Sequence, residues 1–292
     1  MGNLEGLAVK AGARVGDYVI EGEEGDGYRA SHVLLPRRVR LVMTPPTALA
    51  QRPVAVRMMR EACILEALRH PGVPRVYEVG VLEQRRWVAS ELIEGELLAD
   101  SLREGEYVSV VELLEIVRDT AEVLAFAHAR NVAHRGVRPE AIIRCDASRG
   151  TSLCLINWGL AHMPDTADAS ARAFGDDVFA LGLVADVVLA TRRVIMSKVA
   201  ALVDDMLAPN PAMRPSAAIV AERAKELLST LDPAIPEAID EVLEERLMFG
   251  ETSRLTPPPM PVQPRLRWTP ATHLAHLTED DVESSESASS RS

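Results

Sequence analysis

His134-Arg135-Gly136-Val137-Arg138-Pro139-Glu140-Ala141 and, sixteen residues past Ala141, Asn157-Trp158-Gly159 are the two stretches on which the reading of this chain turns. The chain changes character upstream of them. Residues 15 to about 98 read as short β segments around one helix. Asp17-Tyr18-Val19-Ile20, Arg38-Val39-Arg40-Leu41-Val42-Met43, Arg75-Val76-Tyr77-Glu78-Val79 and Arg86-Trp87-Val88-Ala89 are runs rich in β-branched and aromatic residues. Between them Ala55 to Leu68 is predicted helical, with Met58, Ala62, Leu65 and Leu68 on one face and His70-Pro71-Gly72 as its stop. Past Gly95 the pattern turns helical: Leu113 to Ala129, Val178 to Ala190, Val199 to Leu207 and Ser216 to Leu231 carry apolar residues at helical spacing.

Composition bounds the function. An apolar content of 47% over 292 residues supports a sizeable core, and a net charge of −11 disfavours nucleic acid or an anionic membrane as the main partner. Cys63, Cys145 and Cys154 have no metal-ligand spacing and read as buried small hydrophobes of a reducing, cytoplasmic compartment. Met1 to Gly6 holds no apolar signal region, and the longest apolar run, Val178 to Ala190, is interrupted by Asp186 and too short to span a bilayer. Of 32 cationic residues only Lys10, Lys198 and Lys225 are lysines, so no lysine lies between residues 11 and 197.

The two opening stretches resemble the catalytic loop and metal-binding motif of bacterial serine/threonine protein kinases, H-R-D-L-K-P-E-N and D-F-G. Other landmarks follow in order: Arg60-Glu61-Ala62 with Leu68-Arg69-His70-Pro71, the hinge-like Glu91-Leu92-Ile93-Glu94-Gly95, Ala127-His128-Ala129-Arg130, Asp177 to Gly182, and Arg214-Pro215-Ser216. The resemblance runs from about Tyr18 to Leu228. It implies an α+β, two-lobed kinase-like fold: a β-rich lobe over about 15–90 with one helix, a hinge at 91–95 and a helical lobe over 96–232. Residues 1–14 read as an extension and 233–249 as a further helix (Pro236 to Phe249). Residues 250–292, Pro-rich then acidic and Ser-rich, read as a disordered tail. The proline stretch is open to docking on an aromatic groove or to plain solvation.

Carried over residue by residue, the family's chemical groups fall on unlike side chains. Its catalytic Asp falls on Gly136, its loop Lys on Arg138, its metal-binding Asn on Ala141, its second metal ligand on Asn157 and its lysine motif V-A-x-K on Val39-Arg40-Leu41-Val42. Val42 leaves Glu61 without its usual partner, and Arg40 replaces a small residue that lies against adenine, either to obstruct the base or to turn outward. The phosphate-cradling loop is cropped to Glu21-Gly22-Glu23-Glu24-Gly25-Asp26-Gly27, with carboxylates where backbone amides would draw phosphate. Three lost roles at roughly 10²-fold each set a scale of about 10⁶, or ~8 kcal/mol of barrier. His134, Arg135, Gly159, Asp177 and Arg214 are the retained landmarks; Gly22, Gly25, Gly27, Arg40, Ser90, Glu91 and Leu92 outline a vestigial pocket, with Ser90 at the gatekeeper position. Asn157 to Asp177 is short for an activation segment and lacks A-P-E, so Arg214 needs a new carboxylate from Asp165, Asp168 or Asp176, or exposure to water.

The expectation is therefore not an enzyme but a pseudokinase: a scaffold or allosteric regulator of an active kinase or its substrate. No cofactor is expected, with ATP bound weakly or not at all and no Mg²⁺. A nucleotide sensor without transfer, and a residual serine/threonine kinase, are the alternatives. Thr256 and Thr269, each followed by proline, are candidate phosphorylation sites.

Overall fold

The computed structural model describes residues 9–45, 48–106, 108–145, 151–190 and 197–231. The first lobe is a six-stranded antiparallel sheet with strand order β1-β2-β3-β4-β6-β5. Its strands are β1 (Arg14–Val15), β2 (Tyr18–Glu24), β3 (Gly27–His32), β4 (Arg38–Met43), β5 (Val76–Leu82) and β6 (Arg85–Glu91), with α1 (Ala48–Ala67) between β4 and β5. Period-2 alternation divides β4 and β6 between two apolar layers. Val39, Leu41, Trp87 and Ala89 pack on Tyr18, Ile20 and Ala30 on one side of the sheet. Val88, with Val42 partly buried, packs on Met58 and Ala62 of α1 on the other.

α1 joins the lobes. Ile64 and Leu65 on its second half, and Leu68 just past its end, enter the core of the helical lobe, beside Leu98, Leu113, Leu124 and Trp158. Cys63 lies off that buried stripe and is exposed, which corrects the reading of all three cysteines as buried; Cys154 is buried and Cys145 half-buried. α1 also begins seven residues before the position its apolar stripe predicts, at Ala48.

In the second lobe α2 (Leu98–Glu104) and α3 (Val110–His128) precede α4 (Ala167–Ala190), α5 (Ser197–Met206) and α6 (Ala217–Thr230). Ser109 and Glu112 cap α3 reciprocally, each side chain taking the other's backbone N–H, at 3.1 and 2.7 Å. The purely helical reading past Gly95 is corrected by a small antiparallel sheet of β7 (Gly95–Leu97), β8 (Ile142–Cys145) and β9 (Leu153–Leu155). Three- and four-residue strands are too short for a period to register. Gly95 (φ +152°) fits because a Cβ there would stand 2.1 Å from the Arg144 carbonyl oxygen. Arg144 joins β8 to β7 through Glu96, ties the sheet to α2 through Ser101 and to the loop after α2 through Glu106, and reaches Glu112 on α3 at 3.8 Å.

The largest departure concerns α4. The periodic run predicts a helix from about Val178, yet α4 starts at Ala167, with the Thr166 hydroxyl accepting from Ala169 N at 3.2 Å. Its first turns are small and polar, and their outer faces stay in water, so no apolar period marks them. Among the described residues no helix is long and apolar enough to cross a membrane. Residues 1–8, the helix expected at 233–249, and the tail at 250–292 with Thr256 and Thr269 lie outside the described residues.

Candidate functional site

Asp177, almost fully buried on α4, organises the stretch that opened the sequence reading. Its carboxylate accepts from the backbone N–H of His134 (2.8 Å) and Arg135 (2.6 Å) and lies 2.9 Å from His128 Nε2. The His128 ring stacks on Phe174 at 4.2 Å. Held this way, Arg135 adopts φ +60° and sends its side chain into solvent. His134 is buried. Its Nδ1 accepts from Gly136 N at 3.1 Å, so its Nε2–H donates to Ile156 O at 3.0 Å. Burial pulls its pKa below the usual histidine value and keeps the ring neutral, Asp177 opposing this more weakly.

The ring edge of His134 meets Trp158 at 4.5 Å. Trp158 is buried and donates its indole N–H to Leu155 O at 2.8 Å, at the start of a 3-10 turn, Trp158–Leu160, that packs against α1. Asn157 stands in the left-handed region (φ +66°) and donates its side-chain amide to Glu140 O at 2.9 Å. Gly136 is half-buried, Ala141 fully buried, and Arg138 points outward beside Glu140 at 3.7 Å. At the two positions that the kinase resemblance gives to metal, the chain therefore offers a buried methyl and an engaged amide. That pair does not fit Mg²⁺, a hard cation held through carboxylates and phosphates.

The cleft side of the first lobe is charged. Gly25 (φ +58°) and Asp26 form a two-residue turn closing β2 on β3, since Glu24 pairs with Gly27. Gly27 backs onto β4, where a Cβ would meet Leu41 O at 2.8 Å, whereas at Gly22 there is open space. Because Val39 and Leu41 point into the sheet core, Arg40 and Val42 share the opposite face. The Arg40 guanidinium pairs with Asp26 at the hairpin tip. Behind it stands Glu61, whose Oε2 comes 3.2 Å from where a Gly159 Cβ would be. Burial pushes the Glu61 carboxyl above the usual glutamate value, while Arg40, Arg57 and the Trp158 N–H pull the other way. Glu61 thus faces two arginines in place of a lysine. Arg57 is the residue that sequence reasoning missed, although its i, i+4 spacing to Glu61 on one helix was a usable signal.

Ser90, at the gatekeeper position, is buried, lies opposite Arg40 in the sheet and donates its hydroxyl to Arg40 O at 3.3 Å. The Glu91 backbone bonds Arg75 O at 2.7 Å, and Leu92 is half-buried in the linker between the lobes. Arg214 finds the carboxylate that it needs in Asp176, at 3.0 Å, the third of the expected candidates. Its guanidinium also donates to Ala208 O (2.9 Å) and Gly175 O (3.0 Å) and lies over the Phe179 ring at 4.5 Å.

Between the catalytic-loop stretch and the start of α4 lies an open cavity of about 750 Å³, lined by Arg135, Gly136, Val137, Asp168, Ala169 and Arg172 among others. Arg135 and Arg172 are both exposed and make no ion pair among the described residues.

A β-rich lobe, a linker, a helical lobe and a loop pinned by a buried aspartate define the protein kinase class. Residues 47–180 match the family model described as the protein kinase domain. The chain is similar to the serine/threonine-protein kinase pkn2 of Myxococcus xanthus, at 31% identity over 153 residues, covering 52% of this chain and 18% of that protein. It is similar to PknJ of Mycobacterium tuberculosis at 27% over 188 residues, covering 64% of this chain and 31% of that one. PknF of the same species matches at 30% over 149 residues, covering 49% and 31%. Residues 47–180 thus carry the protein kinase domain match, and bacterial serine/threonine kinases are among the proteins that the chain is similar to. It spans less than a third of the length of these three relatives. The expectation that it is not an enzyme is corrected here: the matched domain and the named relatives are those of an enzyme family.

Proposed function

We propose that this protein is a signalling protein of the serine/threonine kinase family that works by docking a partner kinase, or that kinase's protein substrate, against its helical lobe. The observation that supports this is the cavity beside the catalytic-loop stretch. Its floor, Arg135 to Val137, is anchored through Asp177, and its wall is the first turns of α4. Helix has taken over much of what the kinase resemblance assigns to an activation segment, leaving an open depression with arginines free to meet acidic groups and Asp165 and Asp168 free to meet basic ones. A wall of mixed charge suits a polypeptide segment, with the charges setting register and the cavity volume setting affinity.

The test is proximity labelling with the full chain against an Ala169→Trp variant, whose indole fills the cavity from an exposed helix position. The expected result is a kinase or kinase substrate labelled by the wild type and lost with the variant, at unchanged melting temperature. Labelling that is indifferent to the substitution refutes the reading.

A second reading, phosphoryl transfer by the chain itself, is favoured by the family match and by one structural observation: Arg40 brings a cation to Glu61 in the cleft. Incubation of the purified chain with γ-labelled ATP and a basic protein acceptor tests it. Label that appears on the acceptor and disappears with Arg40→Ala supports it.

A further inference from the structure

We propose that Arg40 is the phosphate-binding cation of this cleft, and that the Asp26 carboxylate at the hairpin tip occupies it until a nucleotide polyphosphate takes its place. The inference rests on the reading that the cleft takes a nucleotide, and it names the residues that would do so.

Strand register delivers Arg40 to this position. β4 pairs with β3 and β6, with Arg40 opposite Arg29 on one side and Ser90 on the other. Val39 and Leu41 are buried in the sheet core, so the side chain between them must project from the opposite face. From there the guanidinium reaches the two-residue turn at Gly25-Asp26.

The two members of that pair are held unequally. The Arg40 side chain is 30% exposed, whereas Asp26 is 77% exposed on a glycine-flanked tip. The carboxylate can swing into water at little cost, and the arginine cannot. Guanidinium is a planar fork with five donors, and a polyphosphate offers it more acceptor oxygens and more charge than one carboxylate does.

Charge balance decides the order of events. The groups facing one another here are Arg40 and Arg57 against Asp26 and Glu61. With Asp26 in place they cancel, so an incoming polyanion meets no net attraction. With Asp26 swung out, one positive charge is unbalanced. Of the other acids on the hairpin, Glu24 is engaged by Arg29 at 2.9 Å and Glu21 by the Ser31 hydroxyl, and among the described residues the ion pair of Arg40 is with Asp26.

The test is calorimetric titration of the full chain with ATP alone and then with ATP and Mg²⁺. It uses the wild type, Asp26→Asn, Arg40→Gln and the double variant. Asp26→Asn should tighten ATP about three- to fivefold, the scale of a mostly exposed ion pair. Arg40→Gln should weaken it by at least about tenfold, the scale of a hydrogen bond to a charged group. In the Arg40→Gln background the Asp26 substitution should have no effect, because it acts only through that arginine. Asp26→Asn lies at an exposed turn, so the test does not hang on whether Arg40→Gln folds. An equal gain from Asp26→Asn with and without Arg40 overturns the inference, since it would show bulk charge at work. ATP binding unchanged in Arg40→Gln overturns the assignment while leaving nucleotide binding intact. No binding by any of the four proteins overturns both, and leaves partner docking to its own experiment.

Discussion

Replacing Asp177 by Asn tests whether one buried carboxylate holds the catalytic-loop stretch in shape. In the wild type two oxygens meet three donors: the His134 and Arg135 amides at 2.8 and 2.6 Å and His128 Nε2 at 2.9 Å. Asn keeps one acceptor and turns an NH₂ group toward at least one of those donors. A hydrogen bond to a charged group contributes about 1.5–3 kcal/mol, and breaking a buried charged partnership costs about 3–5 kcal/mol. The left-handed Arg135 adds to this, because its conformation persists only while its amide is held. We expect a loss of about 3–5 kcal/mol, out of the ~5–15 kcal/mol typical of a domain. At about 2–4 °C per kcal/mol for a domain of this size, melting should fall by roughly 6–20 °C. Urea unfolding gives the free energy, and amide hydrogen exchange at His134 and Arg135 gives the location. A variant within about 1 kcal/mol of wild type, with those two amides still protected, would refute the reasoning.

Three further outcomes are expected. Burial raises the Glu61 carboxyl in the folded state, so its protonated form is the one favoured by folding; that contribution is complete below the unfolded value of about 4.3 and is lost as pH rises through the folded one. Glu61→Gln should therefore be more stable than wild type at neutral pH, with the gain gone below about pH 4, and a less stable variant at neutral pH would count against burial as the dominant cause. Arg214 is held more by carbonyls than by its ion pair, because Asp176 is 61% exposed. Arg214→Lys, which loses the fork, should cost about 2–3 kcal/mol, while Asp176→Ala should cost less than about 1 kcal/mol, both read from urea midpoints; the reverse order would show the ion pair to be dominant. Trp158→Ala empties a fully buried site and leaves Leu155 O without its donor, at about 3–5 kcal/mol. Its unfolding transition measured by circular dichroism should shift accordingly, and a change below about 1 kcal/mol would mean that the lobe refills the cavity.

Much of the kinase frame was legible from residue order alone. β4 and the α3, α5 and α6 helices follow from period-2 and helical patterning, and the landmarks from His134 to Arg214 fall in the order the fold requires. The cost of burying an unpaired guanidinium called for a carboxylate from Asp165, Asp168 or Asp176, or exposure to water, and the fold selects Asp176. The early start of α4 was not legible, because its first turns are small, polar and exposed and carry no apolar period. β3 and the small sheet were missed for a related reason: short strands with mixed faces do not separate from loop.

The cleft was a different matter. Sequence determined which side chains are present: Val42 at the lysine position, Arg40 two residues before it, acids on the hairpin and Glu61 on α1. Which groups Arg40 meets was decided only in three dimensions. Strand alternation sets the face, but the reach from Arg40 to Asp26, and the Arg57 and Glu61 carried up beside them on α1, depend on how the hairpin, sheet and helix pack. Residue type is local, and electrostatic partnership depends on distance between segments far apart in the chain, so only the packed fold can settle it.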